Sequence, residues 1–341
     1  MIYRSKAPLR IGLAGGGTDV SPYCDLFGGA ILNATISLYA HATIEPLDEK
    51  KIIVQTIDRG EQQEFEWAEE LPLNGTLDLL KGIYNRIQKD YGVTQGFRLS
   101  TFVDAPAGSG LGTSSTLVVA IVGAFAEMLR LPLGEYDMAH YAYSIERQDL
   151  KLAGGRQDQY AATFGGVNFM EFDKDDKVIV NPLRIKQEYL FELENNLLLY
   201  YTSTSRESAE IIKKQSRNVV DKKDSSIEAM HQLKEQARLM KEALLKGKLH
   251  EIGDILNIGF QQKRLMAEGI SNPLMEDIYE TAIQAGATGG KISGAGGGGF
   301  MIFYCPANTK YTVIKSLEKF GGRHRSYQFV EHGLKTWTIG G

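Results

Sequence analysis

The stretch DAPAGSGLGTSSTLVVA (104–120) contains three glycines and four hydroxyl side chains within residues 108–115, shortly before an apolar stretch. A loop so poor in bulky side chains lets its backbone N–H groups approach a ligand closely. The start of a helix adds unpaired N–H donors and a partial positive charge. Together these features predict an anion site, most simply a phosphate site. A mobile turn followed by ordinary Ser/Thr capping of a helix is the alternative.

Two common kinds of phosphate loop do not fit this sequence. A P-loop requires GxxxxGK[ST], and neither Gly-Lys pair in the chain is followed by Ser or Thr. A GxGxxG pattern occurs at Gly294, Gly296 and Gly299. In a dinucleotide-binding fold this pattern lies between a strand and a helix. Here it leads into FMIFYC, which is typical of a strand, so a Rossmann site is not predicted.

Composition excludes several classes of function. The chain has 341 residues, of which 43% are hydrophobic and 23% charged, as in ordinary soluble proteins. A formal charge of −4 argues against a nucleic-acid partner. The two cysteines cannot build a disulfide framework, the histidines include no HxxxH zinc pair, and the N-terminus lacks the apolar core of a signal peptide. The longest apolar run, 117–126, is far shorter than the roughly 20 residues of a membrane span. We expect a cytoplasmic protein without a membrane partner, either a monomer or a homodimer.

The order of predicted elements favours an α+β fold. Helices are predicted over 114–130, 135–150, 206–266 with a break near 219–226, and 312–321. Strands are predicted within 30–57, over GFRLSTFVD and over RSYQFVEHG (325–333). The segment 173–190 is expected to be charged and mobile. Strands and helices mix without strict βαβ alternation, and a domain boundary near 170–190 is plausible.

Three stretches together resemble the GHMP kinases, the family of galactokinase, homoserine kinase and mevalonate kinase. APLRIGLAGGGTD (7–19) resembles the N-terminal substrate motif of the family, PAGSGLGTSS (106–115) its nucleotide-phosphate loop, and KISGAGGGGF (291–300) its C-terminal glycine motif. They occur in the family's order. The resemblance implies an N-terminal α/β domain like that of a ribosomal protein over residues 1–185 and a ferredoxin-like domain over 186–341.

The resemblance also implies roles for particular residues. The ATP phosphates would lie on Pro106, Gly108, Ser109, Gly110, Leu111, Gly112, Thr113, Ser114 and Ser115. Magnesium, which prefers hard oxygen ligands, would be held by Ser115 and Glu146. Taken alone, Glu146 would be interpreted as a surface acid on a helix.

Asp158 is the candidate general base, and Arg10 is its candidate partner. Asp158 follows Glu146 by twelve residues (158 − 146 = 12), similar to the galactokinase pattern of a helix glutamate and a later Asp-Gln. A carboxylate at the floor of a cleft can accept the proton of a sugar hydroxyl. Arg10 can hold that carboxylate ionised and offset phosphoryl charge. The alternatives are an exposed turn for Asp158 and a solubilising edge-strand position for Arg10.

The substrate motif departs from galactokinase, because Gly16 and Gly17 stand where that enzyme has Glu-His. GGGTD and TSTSRESAEII (202–212) look instead like the branch that contains D-glycero-D-manno-heptose 7-phosphate kinases and fucokinase-like relatives. The residues expected at the substrate are Gly16, Gly17, Thr18, Asp19, Arg206, Gly294 and Gly296. A surface position at a helix start is the alternative for Arg206.

The activity that the resemblance implies is ATP-dependent phosphorylation of the anomeric hydroxyl of this heptose 7-phosphate. The 1,7-bisphosphate product would supply nucleotide-activated heptose for surface polysaccharide. An L-fucokinase and a non-catalytic sugar or nucleotide sensor are the alternatives. The cations available for a distal phosphate are Lys6, Arg10, Arg156 and Arg206.

Overall fold

The computed structural model describes residues 1–204 and 208–340. Eight strands form the first sheet: β1 (Ile2–Ala14), β2 (Gly29–Leu47), β3 (Lys51–Thr56), β4 (Glu61–Glu66), β5 (Gly96–Val103), β6 (Val167–Phe172), β7 (Val178–Pro182) and β12 (Lys335–Ile339). Their order is β12-β1-β2-β5-β3-β4, and β6 pairs with both β2 and β7. Among the strand pairs of the described residues, only β3–β5 is parallel. The long β2 pairs with β1 along one edge and, along its other edge, with β5 over its C-terminal half and β6 over its N-terminal half.

The second sheet is smaller and antiparallel. It contains β8 (Leu197–Tyr201), β9 (Gly289–Ile292), β10 (Phe300–Tyr304) and β11 (Arg323–His324), in the order β11-β8-β10-β9. The glycine run 294–299 is the turn between β9 and β10, so the third motif joins two neighbouring strands of this sheet.

Eleven α-helices are present in the described part of the chain. They are α1 (Tyr23–Phe27), α2 (Asp78–Tyr91), α3 (Thr113–Leu129), α4 (Glu135–Ser144), α5 (Gln157–Phe164), α6 (Gln187–Asn196), α7 (Ser208–Val220), α8 (Asp224–Lys246), α9 (Ile252–Met266), α10 (Pro273–Gln284) and α11 (Thr309–Leu317). A π-helical turn, Ile145–Asp149, continues α4. None of the described helices combines the length and apolarity that a membrane span requires.

A register shift in β1 between Pro8 and Arg10 divides the apolar side chains of this strand between two cores. Ala7 packs with α2 and α3 on one face of the first sheet. Leu9, Ile11 and Leu13 pack on the other face, in a core that also contains residues of β8, β10, α8 and α9. This second core joins the two sheets. A third core fills the space between the second sheet and α10 and α11.

The sequence predictions of a strand over 325–333 and of a mobile segment over 173–190 are wrong. Residues 325–333 form no strand, because they make one isolated antiparallel bridge, between Phe329 and Ile36 of β2. Other backbone bonds of this segment go to different elements, as in the Arg325 N–H bond to the Leu199 carbonyl of β8 at 2.8 Å. The terminal strand is β12, and it lies in the first sheet beside β1, although residues 186–341 were assigned to the second domain. The segment 173–190 contains β7 and the start of α6 rather than only mobile chain. The division into two domains at residue 185 stays a prediction.

Candidate active site

A central cavity of about 290 Å³ gathers the three glycine-rich motifs. It is lined by parts of the segments 10–20, 108–115, 146–158 and 291–295, by three residues of α7, and by Lys263 on α9. Motifs that are far apart in the sequence therefore face one space.

The phosphate loop connects β5 to the N-terminus of α3. Its three glycines have left-handed backbones, with φ of +71° at Gly108, +83° at Gly110 and +78° at Gly112. No side chain caps the first turn of α3, and that turn has no acidic residue. The N–H groups of the turn are therefore free to bind an anion, as the sequence predicts.

The C-terminal glycine motif packs directly on this loop. A Cβ on Gly110 would lie 2.5 Å from the Ser293 carbonyl oxygen, and one on Gly299 would lie 2.4 Å from the Ser109 carbonyl oxygen. The Ser293 hydroxyl donates to the Gly110 carbonyl at 2.8 Å, and the Phe300 N–H donates to the Ser109 carbonyl at 2.8 Å. These glycines allow the turn of the second sheet to support the phosphate loop.

The predicted nucleotide residues separate into two groups. Those that line the cavity are Gly108, Gly110, Gly112, Thr113, Ser114 and Ser115. The side chain of Leu111 lies in the core that joins the sheets, and the Ser109 side chain is also fully buried. Pro106 is exposed and does not line the cavity. Leu111 and Ser109 anchor the loop, and their side chains do not face the cavity.

Asp158 and Arg10 meet at the inner end of the cavity. Arg10 Nε donates to Asp158 Oδ1 at 2.7 Å, and Arg10 Nη1 donates to the Gly110 carbonyl at 2.6 Å. Asp158 lies against the phosphate loop, since a Cβ on Gly112 would be 3.1 Å from its Cγ. Burial raises the pKa of Asp158 above its usual value, Arg10 lowers it, and the Asp19 carboxylate raises it. The carboxylate is thus a stronger base than a free aspartate.

Asp19 fixes the start of α5, the helix that carries Asp158. Its Oδ2 accepts the backbone N–H groups of Arg156 at 2.9 Å and Gln157 at 3.1 Å. Gly155 is needed for this contact, because a Cβ there would lie 1.9 Å from Asp19 Oδ2. Asp19 also lines the cavity, so one oxygen can position α5 while the other faces a ligand.

The other predicted substrate residues do not all reach the cavity. Gly16, Gly17 and Gly294 line it. Thr18 is fully buried outside it, with its hydroxyl bonded to the Gly15 and Ala30 carbonyls at 2.9 and 3.0 Å. Gly296 packs against the backbone just before α10, where a Cβ would lie 2.7 Å from the Ile270 carbonyl oxygen. These two positions shape the loops, and the prediction that they contact substrate is not supported by their positions. Arg206 lies outside the described residues.

Glu146 is buried rather than solvated at the surface. It lies in the π-helical turn, a distortion that often marks functional sites. Ser114 Oγ donates to its Oε1 at 2.9 Å, and Gln159 Nε2 donates to its Oε2 at 2.7 Å. The same Gln159 amide reaches Ser115 Oγ at 3.1 Å. The two predicted magnesium ligands therefore lie side by side at the head of α3.

The guanidinium group of Arg147 contacts both predicted magnesium ligands, Glu146 and Ser115. Arg147 Nη1 lies 3.1 Å from Glu146 Oε1, and Arg147 Nη2 donates to Ser115 Oγ at 3.4 Å. Within the described residues, no cluster of three or more acidic, His or Cys side chains forms a metal cage. A carboxylate and a hydroxyl, completed by phosphate and water oxygens, fit magnesium, which usually takes few protein ligands.

Sequence reasoning missed three cations in the cavity: Arg147, Lys263 and Lys291. Lys291 is within the third motif and donates to the Gly12 carbonyl at 2.8 Å. Burial lowers its pKa, with Lys263 and Arg10 lowering it further.

Of the cations that the sequence suggested for a distal phosphate, Lys6 and Arg156 do not line the cavity. Arg156 instead pairs with Asp25 at 2.7 Å.

The raised pKa of Asp158 predicts how kcat/KM depends on pH at the acid side of the profile. If Asp158 is the base, kcat/KM falls as pH falls through this pKa, because the protonated carboxyl cannot accept a proton. Arg10→Met removes the group that lowers this pKa, so the acid limb should move to higher pH. The measurement is kcat/KM against pH for both proteins. An acid limb that stays in place or moves to lower pH would contradict the Asp158–Arg10 coupling.

Comparison with known proteins decides the family. The domain description "GHMP kinases N terminal domain" matches residues 78–166, and "GHMP kinases C terminal" matches residues 240–322. A D-glycero-alpha-D-manno-heptose 7-phosphate kinase from Campylobacter jejuni is 49% identical over 337 residues, covering 98% of this chain and 99% of that protein. The chain belongs to the GHMP kinase family.

Other relatives of this GHMP kinase support the same family assignment. The crystal structure of a D-glycero-D-manno-heptose 1-phosphate kinase from Bacteroides thetaiotaomicron matches with a TM-score of 0.85 and 44% identity, covering 99% of this chain and 100% of that one. An L-fucokinase/L-fucose-1-P guanylyltransferase from Bacteroides fragilis is 27% identical over 96% of this chain, which spans 37% of that protein. The predicted family and two-domain α+β fold are confirmed, and the protein is a phosphotransferase with an alcohol acceptor.

Proposed function

We propose that this GHMP kinase transfers the γ-phosphoryl group of ATP to the anomeric hydroxyl of D-glycero-D-manno-heptose 7-phosphate. The observation that carries the reaction type is the position of Asp158, a base bonded to Arg10 and lying against Gly112 of the phosphate loop. The substrate is proposed from the end-to-end similarity to the Campylobacter jejuni heptose 7-phosphate kinase.

In the proposed reaction, Asp158 accepts the proton of the sugar hydroxyl as its oxygen attacks the γ-phosphorus. The bond between the γ-phosphorus and the β–γ bridging oxygen breaks, and ADP leaves. The free N–H groups at the start of α3 bind phosphate oxygens, so the loop orients the donor. Arg10, which bonds both Asp158 and the Gly110 carbonyl, fixes the base relative to the loop.

We propose that Ser115 and Glu146 hold magnesium when ATP binds. The ion would neutralise charge on the β- and γ-phosphates. The contacts of Arg147 with both side chains support this assignment, because they show that the pair stabilises positive charge. Gln159 keeps the two oxygen donors next to each other by bonding both.

Two alternatives are less well supported. The first alternative is L-fucokinase activity, but the fucokinase relative is 27% identical to this chain, whereas the heptose 7-phosphate kinase is 49% identical to it. A sensor without chemistry would not require a base, yet Asp158 lies beside the phosphate loop. A cytoplasmic location, and a monomeric or homodimeric state, stay predictions.

Direct competition between sugars tests the proposed substrate. With ATP and magnesium, D-glycero-D-manno-heptose 7-phosphate, L-fucose and galactose are offered at equal concentration, and each phosphorylated product is quantified. We expect the heptose 7-phosphate to be preferred by more than about tenfold in kcat/KM, a difference of about 1.4 kcal/mol in transition-state binding. A preference for L-fucose would replace the heptose assignment, and no transfer to any sugar would favour the sensor.

A further inference from the structure

The central cavity contains an ammonium group that the proposed phosphoryl transfer does not use. Lys263 Nζ donates to the Gly294 carbonyl at 2.6 Å and lies 3.5 Å from the Gly16 carbonyl oxygen. The side chain is 3% exposed, and no carboxylate oxygen of the described residues lies within 4.0 Å of Nζ. Burial lowers the pKa of Lys263 to about 8, while Asp19 raises it. A buried charge without a direct counter-charge is unusual in proteins.

Gln215, another residue that lines the cavity, carries an unpaired amide donor. Gln215 on α7 is 1% exposed, and its Nε2 has no hydrogen-bond partner among the residues that the structure describes. Buried amide donors are normally satisfied by protein or ordered water. The cavity thus offers two buried donors, one of them positively charged, for a ligand with acceptor oxygens.

Gly16 of the first motif makes room for such a ligand, because a Cβ at this position would lie 3.5 Å from Lys263 Nζ. Gly17 has a different role: its φ is +104°, and a Cβ there would lie 2.6 Å from Met266 Cε and 3.7 Å from Gln215 Oε1. Gly16 therefore adds no bulk beside Lys263, and Gly17 lets the loop pack closely on Met266 and Gln215. Asp19, which also lines the cavity, is an electrostatic neighbour of both Lys263 and Asp158.

Resting on the proposed function, we infer that Lys263 and Gln215 bind the phosphate that the sugar already carries, while its reacting hydroxyl lies at Asp158. Phosphate supplies the negative charge that Lys263 lacks and an acceptor oxygen for the Gln215 amide. Gly16 leaves open the space beside Lys263 that a phosphorylated side arm of the sugar requires. The site thereby selects sugars that bear an anionic group over neutral ones.

The test compares two substrates that differ only in this phosphate. The kcat/KM of wild type, Lys263→Met and Gln215→Leu is measured with D-glycero-D-manno-heptose 7-phosphate and with the unphosphorylated heptose. We expect Lys263→Met to lower the ratio of the two values by about 10- to 100-fold, and Gln215→Leu by about tenfold. Binding of each sugar without ATP, measured by calorimetry, should show the same loss for the 7-phosphate alone.

Two further variants keep the test decisive. Gly16→Asp has normal space for its Cβ and places a carboxylate beside Lys263 Nζ, so it should compete with the phosphate and lower the same ratio even if Lys263→Met folds poorly. Lys234→Met is the matched control. It removes an ammonium that donates to the Phe27 carbonyl at 2.6 Å outside the cavity, and the ratio should not change.

The outcomes separate this inference from the proposed function. An equal loss with both sugars would overturn it, because Lys263 would then serve the reacting end or support the Gly294 loop. Unchanged ratios in all the cavity variants would also overturn it. If wild type phosphorylates neither sugar, the proposed function fails, and the calorimetric preference for the 7-phosphate still decides the assignment of Lys263 and Gln215.

Discussion

Asp158→Asn is expected to lower kcat by about 10²- to 10⁴-fold, the usual contribution of a positioned general base. Asparagine keeps the size of the side chain and an oxygen that can accept from Arg10 Nε, so the link between Arg10 and the Gly110 carbonyl should persist. Only the ability to take a proton, together with the negative charge, is lost. The measurement is ADP release at saturating sugar and ATP.

Nucleotide affinity and a matched variant provide the controls. ATP binding depends on the phosphate loop and should change little in Asp158→Asn. Asp25→Asn makes the same chemical change at a carboxylate that pairs with Arg156 at 2.7 Å outside the cavity, and its kcat should stay near that of wild type. A decrease smaller than about tenfold in Asp158→Asn would mean that another group takes the proton.

Glu146→Gln should reduce kcat/KM by about 10²-fold and raise the magnesium concentration needed for half-maximal rate. The carboxylate balances Arg147 at 3.1 Å and accepts from Ser114 and Gln159, so its charge organises both proposed metal donors. Glutamine keeps the shape and removes the charge. Titrating the rate with magnesium separates weaker metal binding, which high magnesium restores, from lost turnover.

Glu127→Gln is the control for this variant. Glu127 is also on α3, but its oxygens accept from Thr336 and Thr338 on β12, away from the phosphate loop. Its magnesium dependence should match that of wild type. If Glu146→Gln retains the wild-type magnesium dependence, Glu146 holds Ser114 and Gln159 in place and does not bind the ion.

The parts of the site that were predictable from the sequence are its glycine loops. Left-handed turns before a helix require glycine, so Gly108, Gly110 and Gly112 mark the loop by residue type alone. The pairing of Arg10 with Asp158 could be expected only from the resemblance to GHMP kinases, because the two residues are far apart in sequence and no periodicity links them. The structure brings them into direct contact.

Lys263 and Gln215 could not be found from the sequence. Each lies on an amphipathic helix rich in charged and polar residues, where a polar side chain is normally solvated. Their burial results from the glycine loops that pack over them, which is a tertiary effect. The opposite error occurred at Thr18, where a hydroxyl within a recognisable motif bonds to backbone carbonyls and does not face the cavity.

The strand prediction over residues 325–333 was wrong for a similar reason. Alternating apolar residues such as Tyr327 and Phe329 are typical of a strand, and both side chains do pack against the core that joins the sheets. A strand also needs a partner with a free row of N–H and C=O groups. β12 is mostly exposed and therefore has a weak strand pattern in the sequence. It nevertheless pairs with the free backbone N–H and C=O groups along the edge of β1.

The pairing of β12 with β1 has a consequence for synthesis of the chain on the ribosome. Ile2 pairs with Ile339, so β1, which is translated before the other described strands, waits for β12, which is translated after all of them, before its outer edge is covered. Until then, the strand that carries Arg10 presents unpaired backbone groups, the kind of edge that recruits strands from neighbouring nascent chains. Contacts of such long sequence separation also form slowly. Premature termination before residue 335 would therefore leave a polypeptide that contains every site residue and is nevertheless prone to aggregate.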